Sequence, residues 1–414
     1  MSSKSYIRRR EFIHTSAAVA FTGCGIQDKL AGPGAIDAAA RKVGQLPRRK
    51  LGGGREVSVL VGSATWTREA VEAGIRCGIN FWHKAEDWEG SVPQAILKNR
   101  DAHYCQVCVD RVRGNHETGA IDEEAHYQLV KRAVQRTGLG YFDDMQFHFG
   151  YHSVAELKSN RGFVRAFERL KKEGLARRLC LSQHSYNGNS RVRGGQSAPE
   201  ILKAVAEDGV FEHAQFMYSY GEGDAWNDFL ALARKKGFGT IAMKTTRGAG
   251  RMSQDKAFMK DFPAGATPHQ ALARWLTTRT QLDAAVIQIN SLSQFVDTYS
   301  GAGKPLRASD AEAIRKMAAY ADREVCRLCN ECAGACRRRI PIADILRYDR
   351  YARDYGDVAR ARDLYARLDT RADACVSCES CVARCPQSLR IPEKLALVHR
   401  MLGTGGTDGM FPGL

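Results

Sequence analysis

At 414 residues the chain is too long for one small core and suits a large domain joined to a smaller one. Hydrophobic residues make up 44% of it, and no apolar run beyond the N-terminus reaches the ~18 residues of a membrane span, which excludes an integral membrane body. The formal charge of +16 gathers in Arg8–Arg10, Arg48–Lys50, Arg337–Arg339 and an arginine-rich stretch from Arg347 to Arg371. No nucleic-acid motif accompanies it, so it reads as a solvated basic surface or a docking face for an acidic electron-transfer partner.

Residues 1–30 have the character of an export signal. Arg8-Arg9-Arg10-Glu11-Phe12-Ile13 resembles the twin-arginine motif, and the short apolar run Ala17–Phe21 follows it. That run is too short to anchor as a helix. Phe21-Thr22-Gly23-Cys24 resembles a lipobox, which would place lipid on Cys24; cleavage elsewhere is the alternative. The resemblance implies export of a folded, cofactor-loaded protein to the periplasm, as a membrane-anchored lipoprotein if Cys24 is lipidated. It also accounts for thiol-rich motifs in a compartment that favours disulfides. Residues 31–45 read as a linker, Ala35–Gly44 being at most a loose helix, and the folded body is expected to start near Leu46.

From there to about residue 315, strand-like apolar runs alternate with amphipathic helical stretches. The strands are expected at Glu56–Gly62, Gly78–Trp82, Ala102–Val109, Phe142–Phe149, Arg178–Ser182, His213–Tyr218, Thr240–Lys244 and Ala284–Ile289. Eight such units imply an α/β fold, a parallel (β/α)8 TIM barrel; the alternative, a doubly wound sheet, lacks a G-x-G-x-x-G after an early strand. Cys105 and Cys108 lie on one strand, where their spacing points them to opposite faces, and read as small buried residues.

Barrel chemistry sits at the C-terminal strand ends. Those ends carry His83, Lys84, Glu86 and Asp87 after strand two, Asp110 after three, His148 and His152 at four, and Ser182, Gln183 and His184 at five. Strand six carries Gln215 and Tyr218, strand seven ends at Lys244, and strand eight offers Gln288 and Asn290. Any one could be a satisfied structural residue; together they make a site hypothesis.

The barrel resembles the aldo/keto reductases. The stretch from Arg49 to Leu60 resembles that family's opening hairpin and first strand, and Gly78–Trp82 the segment before its first catalytic residue. Tyr141–His148 resembles the strand ending in the catalytic histidine, and Gln215–Tyr218 the nicotinamide-stacking segment. The resemblance implies carbonyl reduction by NADPH, with a tyrosine as acid, a lysine and an aspartate tuning it, and a histidine orienting the carbonyl. Only His148 matches that tetrad. His83 replaces the aspartate, Trp88 the tyrosine, and Val107 or Cys108 the lysine. On the cofactor side Ser182, Gln215 and Tyr218 match and Gln183 replaces an asparagine, so NADP(H) is left open. A rearranged site would draw on His83, Lys84, His148, His184 and Lys244; alternatively His83, His148 and His184 would hold a metal ion.

The C-terminal signal is Cys326-x2-Cys329-x2-Cys332-x3-Cys336, then Cys375-x2-Cys378-x2-Cys381-x3-Cys385-Pro386. This is the double run of bacterial-type ferredoxins, in which the fourth cysteine of each run ligates the other cluster. It predicts two [4Fe–4S] clusters, one on Cys326, Cys329, Cys332 and Cys385, the other on Cys375, Cys378, Cys381 and Cys336. Zinc is the alternative for such thiols, though runs of this kind are poor zinc patterns. Arg337 stands where a proline usually follows the fourth cysteine. The spacer of Arg337–Ala374 has helical periodicity, so residues 316–400 are expected to form a mainly helical dicluster ferredoxin-like domain, followed by a Gly-rich tail at 401–414.

These features lead to an exported iron–sulfur oxidoreductase acting on a small carbonyl or hydroxyl compound. His148 binds the substrate oxygen, His83 and Lys244 are the candidates for proton transfer, and a redox protein is a partner. The reading from another class is a non-catalytic electron carrier or scaffold with a degenerate barrel. A third keeps NADPH chemistry on displaced residues.

Overall fold

The computed structural model describes residues 32–403 apart from 114–118, 184–195, 222–223 and 225. The leader with Cys24, His184 and the tail beyond residue 403 lie outside the described residues. Eight barrel strands follow in chain order: β1 Leu60–Ser63, β2 Phe81–His83, β3 Tyr104–Val109, β4 Phe142–Phe147, β5 Ala176–Gln183, β6 His213–Met217, β7 Gly239–Met243 and β8 Ala284–Val286. Each pairs in parallel with the next, and β8 pairs with both β7 and β1, closing the barrel. The chain forms a (β/α)8 barrel, as the alternation implies. The helices start where side chains can replace missing backbone partners. Thr67, Asp122, Ser197, Thr267 and Ser291 each accept a hydrogen bond from the backbone N–H three residues on.

A hairpin of Arg48–Lys50 and Glu56–Ser58 closes the N-terminal end of the barrel. Its Leu51 and Val57 pack with Val61, Phe81, Tyr104, Ile241 and Ala284 to form an apolar plug. Gly52 turns the hairpin at φ 58° and lies too close to the Gly237 carbonyl for any Cβ. Above the plug the lumen is polar. Gln106 lies opposite Asp144, Cys108 opposite Gln146, and Ser182 opposite Gln215, so these pairs share faces of the sheet.

Several boundaries differ from the expectation. Glu56–Gly62 is two strands, one in the hairpin and one in the barrel, broken at Val59. Residues 31–45 are not a linker: the helix Pro33–Val43 buries Ile36, Ala39 and Val43 in the barrel's outer core. The boundary at 315 falls inside the helix Ala308–Glu324, whose Ala313, Met317 and Ala321 belong to that same core, as does Val325.

A second core gathers from Cys332 onward, with Ile345, Leu346, Tyr365, Leu395 and Val398 at its centre. It is built from the helices Ile342–Arg353, Val358–Ala366 and Ile391–Leu402 and short connecting turns. The cysteine runs repeat at an interval of 49 residues, Cys326 to Cys375 and Cys336 to Cys385. The backbone repeats with them: Leu328, Asn330 and Arg339 take left-handed conformations, and so do Ser377, Glu379 and Ser388 at the same offsets.

Candidate active site

The C-terminal domain sits on the barrel mouth. Lys244, directly after β7, has its Nζ 5.8 Å from the ring centre of Tyr351 and 5.6 Å from that of Tyr355. Asn290, after β8, donates from Nδ2 to the Tyr355 carbonyl at 2.6 Å. Arg251 pairs with Asp354 and, at 3.2 Å, with Asp349, all three buried. Gly250 lies so close to the Asp354 carbonyl that a Cβ would collide with it.

Under this cover the strand ends place His83, Lys84, His148 and Lys244 within electrostatic reach of one another. Lys84 and Lys244 both take left-handed backbone conformations, each at φ 57°, and Phe149 after His148 does so at φ 62°. Non-glycine residues held there cost energy and concentrate at functional sites. His83 is buried, with Nδ1 2.6 Å from Gln106 Oε1. Burial pushes its pKa down to about 3, reinforced by Lys84, His148 and Lys244 against the Gln106 hydrogen bond. The uncharged imidazole donates Nδ1–H to Gln106 Oε1, an amide oxygen that can only accept, which leaves Nε2 as an acceptor. His148 holds Nδ1 2.5 Å from Asp110 Oδ1. Burial lowers its pKa although Asp110 pulls the other way. Burial and the positive charges of Arg350, Arg347, Arg360 and Lys84 bring Lys244 down to about 7. Burial alone would lower Lys84, but Asp87, Cys108 and Glu86 outweigh it and hold that ammonium above its ordinary value. Burial and then Asp87 raise Glu86, which accepts the Cys108 N–H at 3.1 Å.

Val107 faces the outer core, so the strand-three position falls to Cys108. Its Sγ is 3.4 Å from His83 Nδ1 and 3.3 Å from Gln146 Oε1. Cys105 is buried on the opposite face as expected, but Cys108 is part of the mouth, not the core residue its strand suggested. Trp88 is buried against Trp82 at 5.5 Å between rings, and an indole is no proton-transferring acid.

The expected cofactor residues are largely engaged within the protein. Gln215 accepts from Gln146 at 3.1 Å, and Ser182 lies 3.9 Å from Met243 Sδ. Gln183 points out of the lumen towards the Tyr151 carbonyl. Tyr218 is buried, its ring stacked on Trp275 at 6.0 Å and 14°. Deeper in the lumen, Gln106 donates to Asp144 at 2.5 Å and Asp144 bonds His213 at 2.7 Å. Asp144, Cys180 and His213 bring donor atoms within 4.8 Å of one another, a buried trio that the strand pattern alone did not single out.

The eight C-terminal thiols fall into two groups. Burial first, and then the neighbouring thiols, Cys385 among them, raise the pKa values of Cys326, Cys329 and Cys332; Cys381 also acts on Cys332. Cys381 responds in the same way to Cys375 and Cys336. Cys378 is exposed, its thiol lowered first by the Ser380 backbone N–H. Backbone N–H groups also turn to Cys326, from Leu328 at 3.3 Å, and to Cys329, from Glu331. Left-handed residues alternating through such loops form nests that suit an anionic cluster. Among the described residues no three of these thiols lie within 4.8 Å of one another.

No protein-family model matches the chain, and no curated protein matches it. Similar solved structures include an aldo-keto reductase from Bacillus halodurans in its holo form, at 17% identity and a TM-score of 0.49, covering 66% of this chain and 96% of that one. Its apo form has 17% identity and a TM-score of 0.48 over 66% and 96% of the two chains. A proposed aldo-keto reductase from Pseudomonas aeruginosa shares 16% identity at a TM-score of 0.45, covering 65% of this chain and 97% of that one.

Proposed function

We propose that the chain is an exported iron–sulfur oxidoreductase that interconverts a carbonyl and a hydroxyl on a small molecule held at the barrel mouth. The observation that carries this reading is the seating of the cysteine-rich domain on that mouth. Tyr351 and Tyr355 cover Lys244, and Arg350, on the same helix as Tyr351, acts electrostatically on both Lys244 and Cys326. Cys326, Cys329, Cys332 and Cys385 would hold one [4Fe–4S] cluster, and Cys336, Cys375, Cys378 and Cys381 the other. When bound, two such clusters supply electrons singly and two in all, the number a carbonyl–alcohol conversion requires.

The barrel residues divide the remaining work. His148, oriented by Asp110, addresses the substrate oxygen. Lys244, with a pKa near 7, is matched to proton transfer at neutral pH, and His83 is a neutral acceptor beside it. The internal bonds of Gln215 and the stacking of Tyr218 on Trp275 argue against NADP(H) as the electron source. The buried Trp88 favours a second reading, in which the barrel is degenerate and the chain only carries electrons.

Anaerobic reconstitution followed by NADPH and NADH titration, monitored by visible bleaching and electron paramagnetic resonance, tests the assignment. The expected result is reduction by dithionite but not by a nicotinamide, with reoxidation of the reduced clusters by a small carbonyl compound. Reduction by NADPH would restore nicotinamide chemistry. Clusters that cycle normally while a broad carbonyl panel leaves them reduced would favour the carrier.

A further inference from the structure

Five cations from separate elements converge on the covered mouth. Lys84 follows β2, Lys244 follows β7, Arg347 and Arg350 lie on the helix Ile342–Arg353, and Arg360 lies on the helix Val358–Ala366. Lys244 feels the other four, and Arg360 is felt by both lysines. Arg360 also stacks over Tyr351, its Cζ 4.8 Å from the ring centre, on the ring that approaches Lys244.

The local carboxylates do not balance this charge. Asp349 and Asp354 are engaged by Arg251, with Arg353 also on Asp349. Asp344 pairs with Arg347 at 3.3 Å, and Glu86 and Asp87 sit beside Lys84. Among the described residues no carboxylate lies within 4.0 Å of Lys244, whose ammonium faces the two tyrosine rings instead. Arg350 is only 3% exposed, yet its Nε and Nη2 have no hydrogen-bond partner, and Asp354 approaches it no closer than 3.5 Å. Its guanidinium is thus only partly satisfied, by the Tyr355 hydroxyl and the longer Asp354 contact, and an incompletely satisfied buried cation beside Lys244, which has no close carboxylate, is costly. Folded proteins keep such an arrangement where a ligand supplies the missing charge. The depressed pKa of Lys244 fits a cation lacking its counter-ion.

We propose that the covered mouth is an anion site: Arg350 and Lys244 hold a carboxylate or phosphate on the substrate, and Lys84 faces it from β2. Resting on the oxidoreductase reading above, this makes the substrate an acidic carbonyl or hydroxyl compound. The covering domain then does more than bring cysteines near the barrel, since it contributes Arg350 to substrate binding.

Matched ligand pairs test this on the full chain with its clusters reconstituted. Pyruvate is compared with acetone, and dihydroxyacetone phosphate with dihydroxyacetone, by titration calorimetry; oxalate and inorganic phosphate serve as anions without a reducible carbonyl. At least one charged member is expected to bind roughly tenfold or more tighter than its neutral counterpart, the gain of a charge-assisted contact. Which member does so separates a carboxylate substrate from a phosphate one. Lys244→Gln and Arg350→Gln should each lose that preference, and Lys244→Arg should keep it. If Arg350→Gln fails to fold, Lys244→Gln alone decides. Equal binding within both pairs, or an anion affinity unchanged in Lys244→Gln, overturns the proposal, as does the absence of binding by all four anions at millimolar concentration. Tight anion binding without reoxidation of reduced clusters keeps the site and removes the redox reading. Turnover of acetone and dihydroxyacetone at the same efficiency as their charged partners keeps the redox reading and removes the site.

Discussion

Lys244 and His148 divide the proposed chemistry between a group that titrates near neutrality and one that orients. With Lys244 at about 7, carbonyl reduction should run at full rate below that pH, where the ammonium can donate, and fall about tenfold per unit above it. The opposite limb is expected for alcohol oxidation, which needs the neutral amine. A pH–rate profile of cluster reoxidation by substrate measures this, and Lys244→Arg should move the limb out of the accessible range because a guanidinium stays charged. His83 does not contribute that limb, since burial holds it near 3. His148→Ala should slow turnover on the order of a hundredfold, the usual worth of a positioned acid–base or electrophilic group. Asp110→Asn should cost less, roughly tenfold, because Asp110 is half exposed and solvent screens it. Unchanged turnover in His148→Ala would remove its assignment to the substrate oxygen.

The element that makes the mouth a closed site is the helix Ile342–Arg353, and its docking depends on Arg251. That guanidinium is buried between Asp349 and Asp354, and replacing it with alanine leaves Asp354 only the longer Arg350 contact and Asp349 only Arg353. Arg251→Ala should destabilise the docked state by about 3–5 kcal/mol, read as an earlier unfolding transition or as new protease cleavage near residues 325–332. The barrel strands were legible because apolar runs of strand length alternate with helical periods. The gathering of His83, His148 and Lys244 at one end of the barrel was legible because each stands at or just after the end of a strand. Val59 was not legible as a break, since a run of strand-forming residues such as Val57–Val61 does not reveal where a hairpin hands over to a barrel. The helix Pro33–Val43 was missed because its alanine-rich face is only weakly apolar, yet small residues are what a close approach to the barrel's outer layer requires. Arg350 was missed for a different reason: no local pattern ties an arginine between two cysteine runs to lysines after β2 and β7.

On the scale of the whole molecule the thiols differ in their access to solvent. Cys326 and Cys332 are embedded near the barrel, with Arg350 acting on Cys326, whereas Cys378 is exposed and next to it Val376 is 58% exposed. Around this outer end stand Arg337, Arg338, Arg339, Arg384 and Arg390, all exposed, on a chain whose net charge is +16. A surface on which exposed arginines outnumber the exposed Asp373 and Glu379 suits an acidic redox protein, and such charge acts chiefly on the rate of encounter. Reduction by an acidic ferredoxin-type donor should therefore slow as salt is added, because screening shortens the reach of these arginines to about 8 Å near physiological ionic strength. Charge reversal at Arg337 and Arg338 together should lower that rate roughly tenfold at low salt and flatten its salt dependence. The resonance signal of the reduced protein and its reduction by a small uncharged photoreductant should stay as they were. A donor rate that is indifferent to both salt and charge reversal would place electron entry elsewhere and leave the basic rim as a solvated surface.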